Sequence, residues 1–503
     1  MLPTNRKFVL AYILLVGLPL LGLFGILRAG RKLVAPPSVS QTVSLEANSA
    51  KSAAPSHPAN SQPEQRSPAM PNLFTLVLQI AVVLTACRLT GTLFLKIQQP
   101  RVVGEMFAGI MLGPSLLGWI APHSSAYLFP VSSLGFLNAL SQIGVIVFMF
   151  LVGLGINPRE LKKQGHAAVL TSHVSITAPF VMAGFLALYL YPRLSDDSVA
   201  FTSFALFMGA AMSITAFPVL ARILSERNML RSRLGTVAIG CAAVDDATGW
   251  CILAYIVVLI RSAHSATSIW YMLGGNLIFA VIMIYVVRPL LRGYEKVYRE
   301  TGALSENLMA LMLLLVLVSA LCTESLGIHL LFGAFLMGAI MPKQRHFVRY
   351  VLDRFETITV TLLLPLFFAF TGLRTNIGLV KGSEMWMYCG LIILVATAAK
   401  LGGSTLASWL SGMPFREAAS LGTLMNTRGL MELVILNIGL DIKIISPALF
   451  SMMVIMALVT TFMTTPVLNL ICPKALLEGA ASDATAGPAA PRVGLQGAES
   501  QVA

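Results

Sequence analysis

Two aspartates, Asp245 and Asp246, stand side by side in the middle of an apolar run, Cys241-Ala-Ala-Val-Asp-Asp-Ala-Thr-Gly-Trp250. A carboxylate at the centre of a bilayer costs about 2.5–3.5 kcal/mol on insertion scales, so two in succession demand a proton, a cation or a basic partner. Neighbouring residues on a helix point about 100° apart, so one acid can face a protein partner while the other faces a cavity. Three further ionisable groups occupy the middles of other apolar runs: Lys400, Arg428 and Glu432. Arg428 and Glu432 are spaced i, i+4 on one helix face and can neutralise each other as a structural or gating ion pair. With all five ionised one negative charge is left over, which invites a proton or a cation. Arg88, Glu105, Glu324, Glu356 and Asp441 lie near the ends of apolar runs, where interfacial solvation is expected.

The elements that must hold these groups are membrane spans. The 503 residues are 56% hydrophobic and 11% charged, with mean hydropathy +0.80, which excludes a soluble globular core and indicates an all-α polytopic membrane protein. The formal net charge of +13 is spread over short gaps between apolar runs, so a nucleic-acid partner is not indicated. The six cysteines show neither CxxC nor metal-type spacing.

Residues 1–32 hold one apolar segment, long enough to be a signal peptide, a signal anchor or an extra span. A Pro/Ser/Ala-rich linker, expected to be disordered, follows over 33–71. From 72 to 472 thirteen apolar runs follow, near 74–95, 102–120, 133–155, 168–190, 200–224, 234–260, 268–291, 305–323, 328–342, 357–373, 385–410, 417–440 and 444–470. One set of alternate gaps is rich in Lys and Arg, including Arg159, Lys162, Lys163, Arg227, Arg231, Arg292, Lys296, Lys343 and Arg349. The other set has only Arg193, Arg261, Arg374, Lys381 and Lys443. By the positive-inside rule the thirteen-span unit begins outside and ends inside, so the short tail 473–503 is cytoplasmic. The N-terminal segment must then start inside unless it is cleaved. The tail is too short for a soluble regulatory domain.

Two spans are interrupted. In Met212-Ser-Ile-Thr-Ala-Phe-Pro218, Pro218 deprives the carbonyl of Ile214 of its helical donor, and Asn426, Thr427 and Gly429 break the twelfth span. The fourth to sixth and eleventh to thirteenth spans thus form two three-helix units, each with a broken member, starting on opposite sides. That is an inverted-repeat plan with a midplane site.

The stretches Gln98-Gln-Pro-Arg-Val-Val-Gly-Glu-Met-Phe-Ala-Gly-Ile-Met-Leu-Gly-Pro-Ser-Leu-Leu-Gly118, Ser213 to Arg222, Asp245-Asp246, Lys400 and Gly422 to Glu432 together resemble the monovalent cation:proton antiporter family, second branch. The resemblance covers the whole thirteen-span unit. It implies two crossed discontinuous helices, a mobile core beside a scaffold, a homodimer in the cell (inner) membrane, and no cofactor beyond the transported Na⁺ or K⁺ and H⁺. It also implies that Asp246 is the shared cation and proton site, transiently holding a monovalent metal ion, with Asp245 beside it, Thr215 near the cation and Lys400 paired with the acid. Ala216 stands where the first branch has an aspartate, and the nucleotide-binding domain of glutathione-gated members is missing from the pattern.

Competition of a proton and a dehydrated cation for Asp246, with alternating exposure, would couple the two fluxes. A cation channel using the same groups is the alternative; it would conduct without proton coupling. A Mg²⁺-diphosphate enzyme would need spaced acidic clusters near an interface, and the acids here are adjacent and deep. No enzyme chemistry is therefore expected.

Overall fold

The computed structural model describes residues 12–36, 73–155, 166–227, 229, 232–264, 269–327 and 329–472. Residues 1–11, most of the 33–71 linker and the 473–503 tail lie outside them. Every regular element among the described residues is a helix. In order these are α1 (Leu18–Gly30), α2 (Leu73–Lys96), α3 (Arg101–Leu112), α4 (Leu117–Ile120), α5 (Pro122–Leu128), α6 (Val131–Gly155) and α7 (His166–Leu194). Next come α8 (Phe201–Ser213), α9 (Phe217–Glu226), α10 (Arg233–His264), α11 (Ile269–Ile282), α12 (Arg288–Thr301) and α13 (Glu306–Ser325). The chain continues with α14 (Leu330–Ile340), α15 (Arg345–Ile358), α16 (Leu364–Arg374), α17 (Gly382–Leu410), α18 (Phe415–Met425), α19 (Leu430–Asp441) and α20 (Pro447–Ile471).

Eleven helical stretches among the described residues are long and apolar enough to cross a bilayer, the first being Ile13–Gly30. The fifth and twelfth apolar runs are broken in two, as α8/α9 and α18/α19. The ninth run is the 11-residue α14, shorter than the roughly 20 residues a perpendicular crossing needs.

Proline shapes several spans. Single π turns at Ile13–Gly17, Met283–Val287 and Thr359–Leu363 each lead into a helix with proline in its first two positions: Pro19, Pro289 and Pro365. Proline removes the donor for the carbonyl four residues back, and a π turn re-registers the ladder across the gap. At Pro365 that carbonyl belongs to Thr361, and it accepts a 3.0 Å bond from Arg88 Nη2. Arg88 thus repairs a helix, whereas its place near a span end suggests only solvation. Glu105, also expected at the interface, is buried.

The helices assort into two bodies. The core holds α7, α8/α9 and α10 with α17, α18/α19 and α20; the scaffold holds α2, α3, α6, α13, α14 and the continuous α15–α16. Within the core α7 and α17 pack along their length in opposite directions. Thr171 near the start of α7 meets Ser408 near the end of α17, and Tyr189 meets Tyr388 at the other end. The two three-helix units are therefore inverted relative to each other.

Glycine lets helices within a body approach backbone to backbone. A Cβ at Gly109 would strike Ala369, one at Gly333 Ser319, and one at Gly338 Phe150, all in the scaffold. In the core, Gly422 lies against Leu401 and Gly403 against Ala178. Where a described glycine of these helices packs against another of them, the neighbour belongs to its own body. Lys343 adds to the scaffold by donating to the carbonyls of Gly153, Leu154 and Gly338 at 2.8–2.9 Å, closing the C-terminal ends of α6 and α14.

A candidate ion site at two crossed helix breaks

The first break is wider than a proline kink. α8 stops at Ser213, Ile214 is extended (φ −82°, ψ 139°), and Pro218 falls in the first turn of α9, where a missing N–H costs nothing. The second break runs from Asn426 to Gly429. The two segments touch: the Ala216 amide donates to the Thr427 carbonyl at 3.0 Å.

Four helix ends thus converge, and their unpaired carbonyls and amides need partners. At the end of α8 those partners come from the other unit. Arg428 Nη1 donates to the Ala211 carbonyl at 3.1 Å and Nη2 to the Met212 carbonyl at 2.6 Å. The Lys400 ammonium donates to the Ser213 carbonyl. The backbone of Arg428 is itself held by Thr461, whose hydroxyl accepts from the Arg428 amide at 3.0 Å and donates to its carbonyl at 2.8 Å.

Asp245 and Asp246 are both buried on α10 yet sit in opposite environments. Asp245 Oδ1 accepts from Ser172 Oγ at 2.6 Å; Oδ2 accepts from Ser175 Oγ at 2.6 Å and from Lys400 Nζ at 3.1 Å. Thr215 Oγ1 lies 2.8 Å from the same Oδ2 and 3.0 Å from the Met425 carbonyl, and its single proton serves one at a time. A buried ion pair offsets its desolvation only when further hydrogen bonds fill the remaining sites, and here they do. Asp246 is 1% exposed, and neither carboxyl oxygen accepts a hydrogen bond. The Phe217 amide at the start of α9 interacts with this carboxyl but falls outside hydrogen-bond geometry. Asn426 Oδ1 and Thr427 Oγ1, on the second break, are likewise buried without partners.

The structure therefore gathers Asp245, Thr215 and Lys400 into one hydrogen-bonded group, with Asp246 adjacent. Arg428 and Glu432 do approach, but at 3.6 Å, and no hydrogen bond reaches either Glu432 oxygen. The main bonds of Arg428 go to α8. Ser172, Ser175 and Thr461 were not singled out by sequence reasoning. The two serines carried a signal: polar residues at i, i+3 on one face of an otherwise apolar helix.

At the opposite end from the basic gaps, scaffold and core meet through polar side chains. Arg374 of α16 binds Asp441 Oδ1 at 2.6 Å and Asn437 Oδ1 at 2.9 Å on α19, and Asn437 Nδ2 donates to Thr371 Oγ1 at 2.9 Å.

The family profile described as "Sodium/hydrogen exchanger, transmembrane" matches residues 80–471. The Na(+)/H(+) antiporter NhaS4 of Synechocystis sp. is 42% identical over 402 residues, which cover 80% of this chain and 98% of that protein. The Cation/H(+) antiporter 19 of Arabidopsis thaliana is 40% identical over 402 residues, covering 79% of this chain and 49% of the relative. The K(+)/H(+) antiporter 1 of Saccharomyces cerevisiae is 32% identical over 414 residues, covering 81% and 47%. The chain thus spans about half the length of these plant and yeast relatives. Among solved structures, the sodium proton antiporter MjNhaP1 of Methanocaldococcus jannaschii superposes with TM-score 0.58 at 17% identity, covering 81% of this chain and 99% of that one. The relatives are named as antiporters, which are transporters and not enzymes.

Proposed function

Because the chain belongs to the sodium/hydrogen exchanger family, we propose that it exchanges a monovalent cation, Na⁺ or K⁺, for protons by alternating access, with Asp246 as the shared binding site. The observation that carries this reading is the contrast inside the acid pair. Asp245 is saturated with donors, while Asp246 has two buried oxygens with none. A carboxylate in that state takes a proton or a cation and cannot hold both at full strength. The partnerless oxygens of Asn426 and Thr427 on the neighbouring break are of the type that replaces the water shell of a dehydrated alkali cation.

Asp245 and protonated Lys400 form a buried charge pair beside the exchanging acid, and Thr215 braces Asp245 against the second break. The core carries the site past the scaffold, as the two-body packing and the separation of close glycine contacts favour. Release of the lysine proton together with that of Asp246 would move two protons per cation and make exchange electrogenic. The protein works in this reading as a homodimer in the cell membrane, with its C-terminal tail in the cytoplasm.

The test is a proteoliposome assay with a preset pH gradient and additions of Na⁺, K⁺, Rb⁺ and Li⁺ over a range of pH. Wild-type protein should dissipate the gradient on cation addition, and Asp246→Asn should not, while still inserting and folding. Exchange retained by Asp246→Asn would remove this residue from the site. Cation flux without proton movement would identify a channel. Zero current at every imposed potential would rule out two protons per cation.

A further inference from the structure

The N-terminal helix lies outside the family match, which begins at residue 80, and the function above assigns it no part. Its buried positions, Val16, Leu23, Ile26 and Gly30, fall on one face at helical spacing. Leu14, Leu18, Leu21 and Phe24 are more than half exposed on the remaining surface, as suits a face turned to lipid.

The buried face meets the core. Tyr12 stands edge-on to His173 near the start of α7, with ring centroids 5.7 Å apart. Val16 clusters with Leu170 and Val174 of α7 and Ala407 of α17. Further along, a Cβ at Gly184 of α7 would lie 3.1 Å from Leu23 Cδ1 and 3.6 Å from Ile26 Cγ2. At the far end Gly30 abuts the Phe201 ring, at the start of α8. The helix therefore runs parallel to α7 along its whole length. At Gly184 and Gly30 the missing Cβ makes room for a side chain of the other helix.

We infer that residues Ile13–Gly30 form a further membrane span that belongs to the transport core and travels with it, although the next helix in the chain, α2, belongs to the scaffold. The direction matches the one that the charge of the gaps requires, because α7 starts on the basic side. The chain length between Pro36 and Leu73 permits the movement: at ~3.3 Å per residue, about 36 residues reach on the order of 100 Å, far more than any displacement of a core within a bilayer. The inference rests on the moving-core reading of the function.

The experiment is an intrachain cross-link in the full chain, with the accessible native Cys251 and Cys322 changed to Ala. Leu23→Cys with Gly184→Cys, and separately Val16→Cys with Val174→Cys, are treated with a short bis-maleimide in proteoliposomes. Expected are an intact mass that retains the N-terminal helix, a cross-linked band at monomer size, and cation-dependent proton movement within about twofold of the untreated sample. A mature chain beginning after residue 30, a cross-link only between two chains, or exchange lost on linking would each overturn the inference. Exchange absent before linking counts against the transport reading, and the cross-link pattern still decides where the helix sits.

Discussion

The two three-helix units of the core share a plan and divide the chemistry. The unit α7 to α10 brings the paired acids and the hydroxyls of Ser172, Ser175 and Thr215 to the crossing, whereas the unit α17 to α20 brings Lys400 and Arg428. Both of these cations are bound to the first unit: Lys400 to Asp245 and the Ser213 carbonyl, Arg428 to the Ala211 and Met212 carbonyls. An inverted repeat alone would place equivalent helix ends about a pseudo-twofold axis. The side chains break that equivalence, so the units are held together by attraction, and of the two adjacent acids Asp246 is left without a donor.

The strongest way to break this picture is to remove a cation from the second unit. Lys400→Met leaves Asp245 buried without its ion partner and should cost about 3–5 kcal/mol of stability. Adding Asp245→Asn should recover much of that loss; thermal unfolding in detergent that shows the two effects simply adding would mean that the pair does not join the units. Arg428→Met should cost a similar amount, at about 1–3 kcal/mol for each of the two carbonyls it orphans at the end of α8. Hydrogen exchange at residues 211–213 should rise in this variant, and unchanged exchange would assign those carbonyls other partners.

A smaller effect sharpens the contrast inside the acid pair. Ser172→Ala removes one donor from a charged acceptor and should cost about 1.5–3 kcal/mol while leaving cation-dependent proton movement measurable. Loss of exchange with unchanged stability would instead put Asp245 in the exchanging role. Least in stability is Arg374→Gln, whose partly exposed pairing with Asp441 is worth about 0–1 kcal/mol. Because that pair joins core to scaffold at one end, its loss should alter labelling of a cysteine placed along the boundary, and identical labelling would make it a passive contact.

Much of this was legible in the sequence for a simple physical reason. Charge is so costly in a bilayer that Asp245, Asp246, Lys400, Arg428 and Glu432 stand out from position alone. Pro218 and Gly429 likewise advertise the breaks. What the sequence hid was the choice of partner. An i, i+4 spacing offered Glu432 to Arg428, but the guanidinium reaches two carbonyls on a helix more than two hundred residues away. Carbonyl acceptors are the same in every residue, so no side-chain pattern marks them. Arg88 and Thr361 make the same point, since only the proline at 365 hints that a carbonyl there needs a donor.

The distribution of the close-packed glycines carries a genetic consequence. A methyl group added at Gly109, Gly333 or Gly338 meets backbone that cannot step aside, so random mutagenesis should recover such changes as losses of protein from the membrane. Along the boundary between the bodies side chains meet side chains, and changes there should recover as full-length protein with altered turnover. A screen that scores abundance and exchange separately would then trace the border between the two bodies residue by residue, without any structure of the intermediate states.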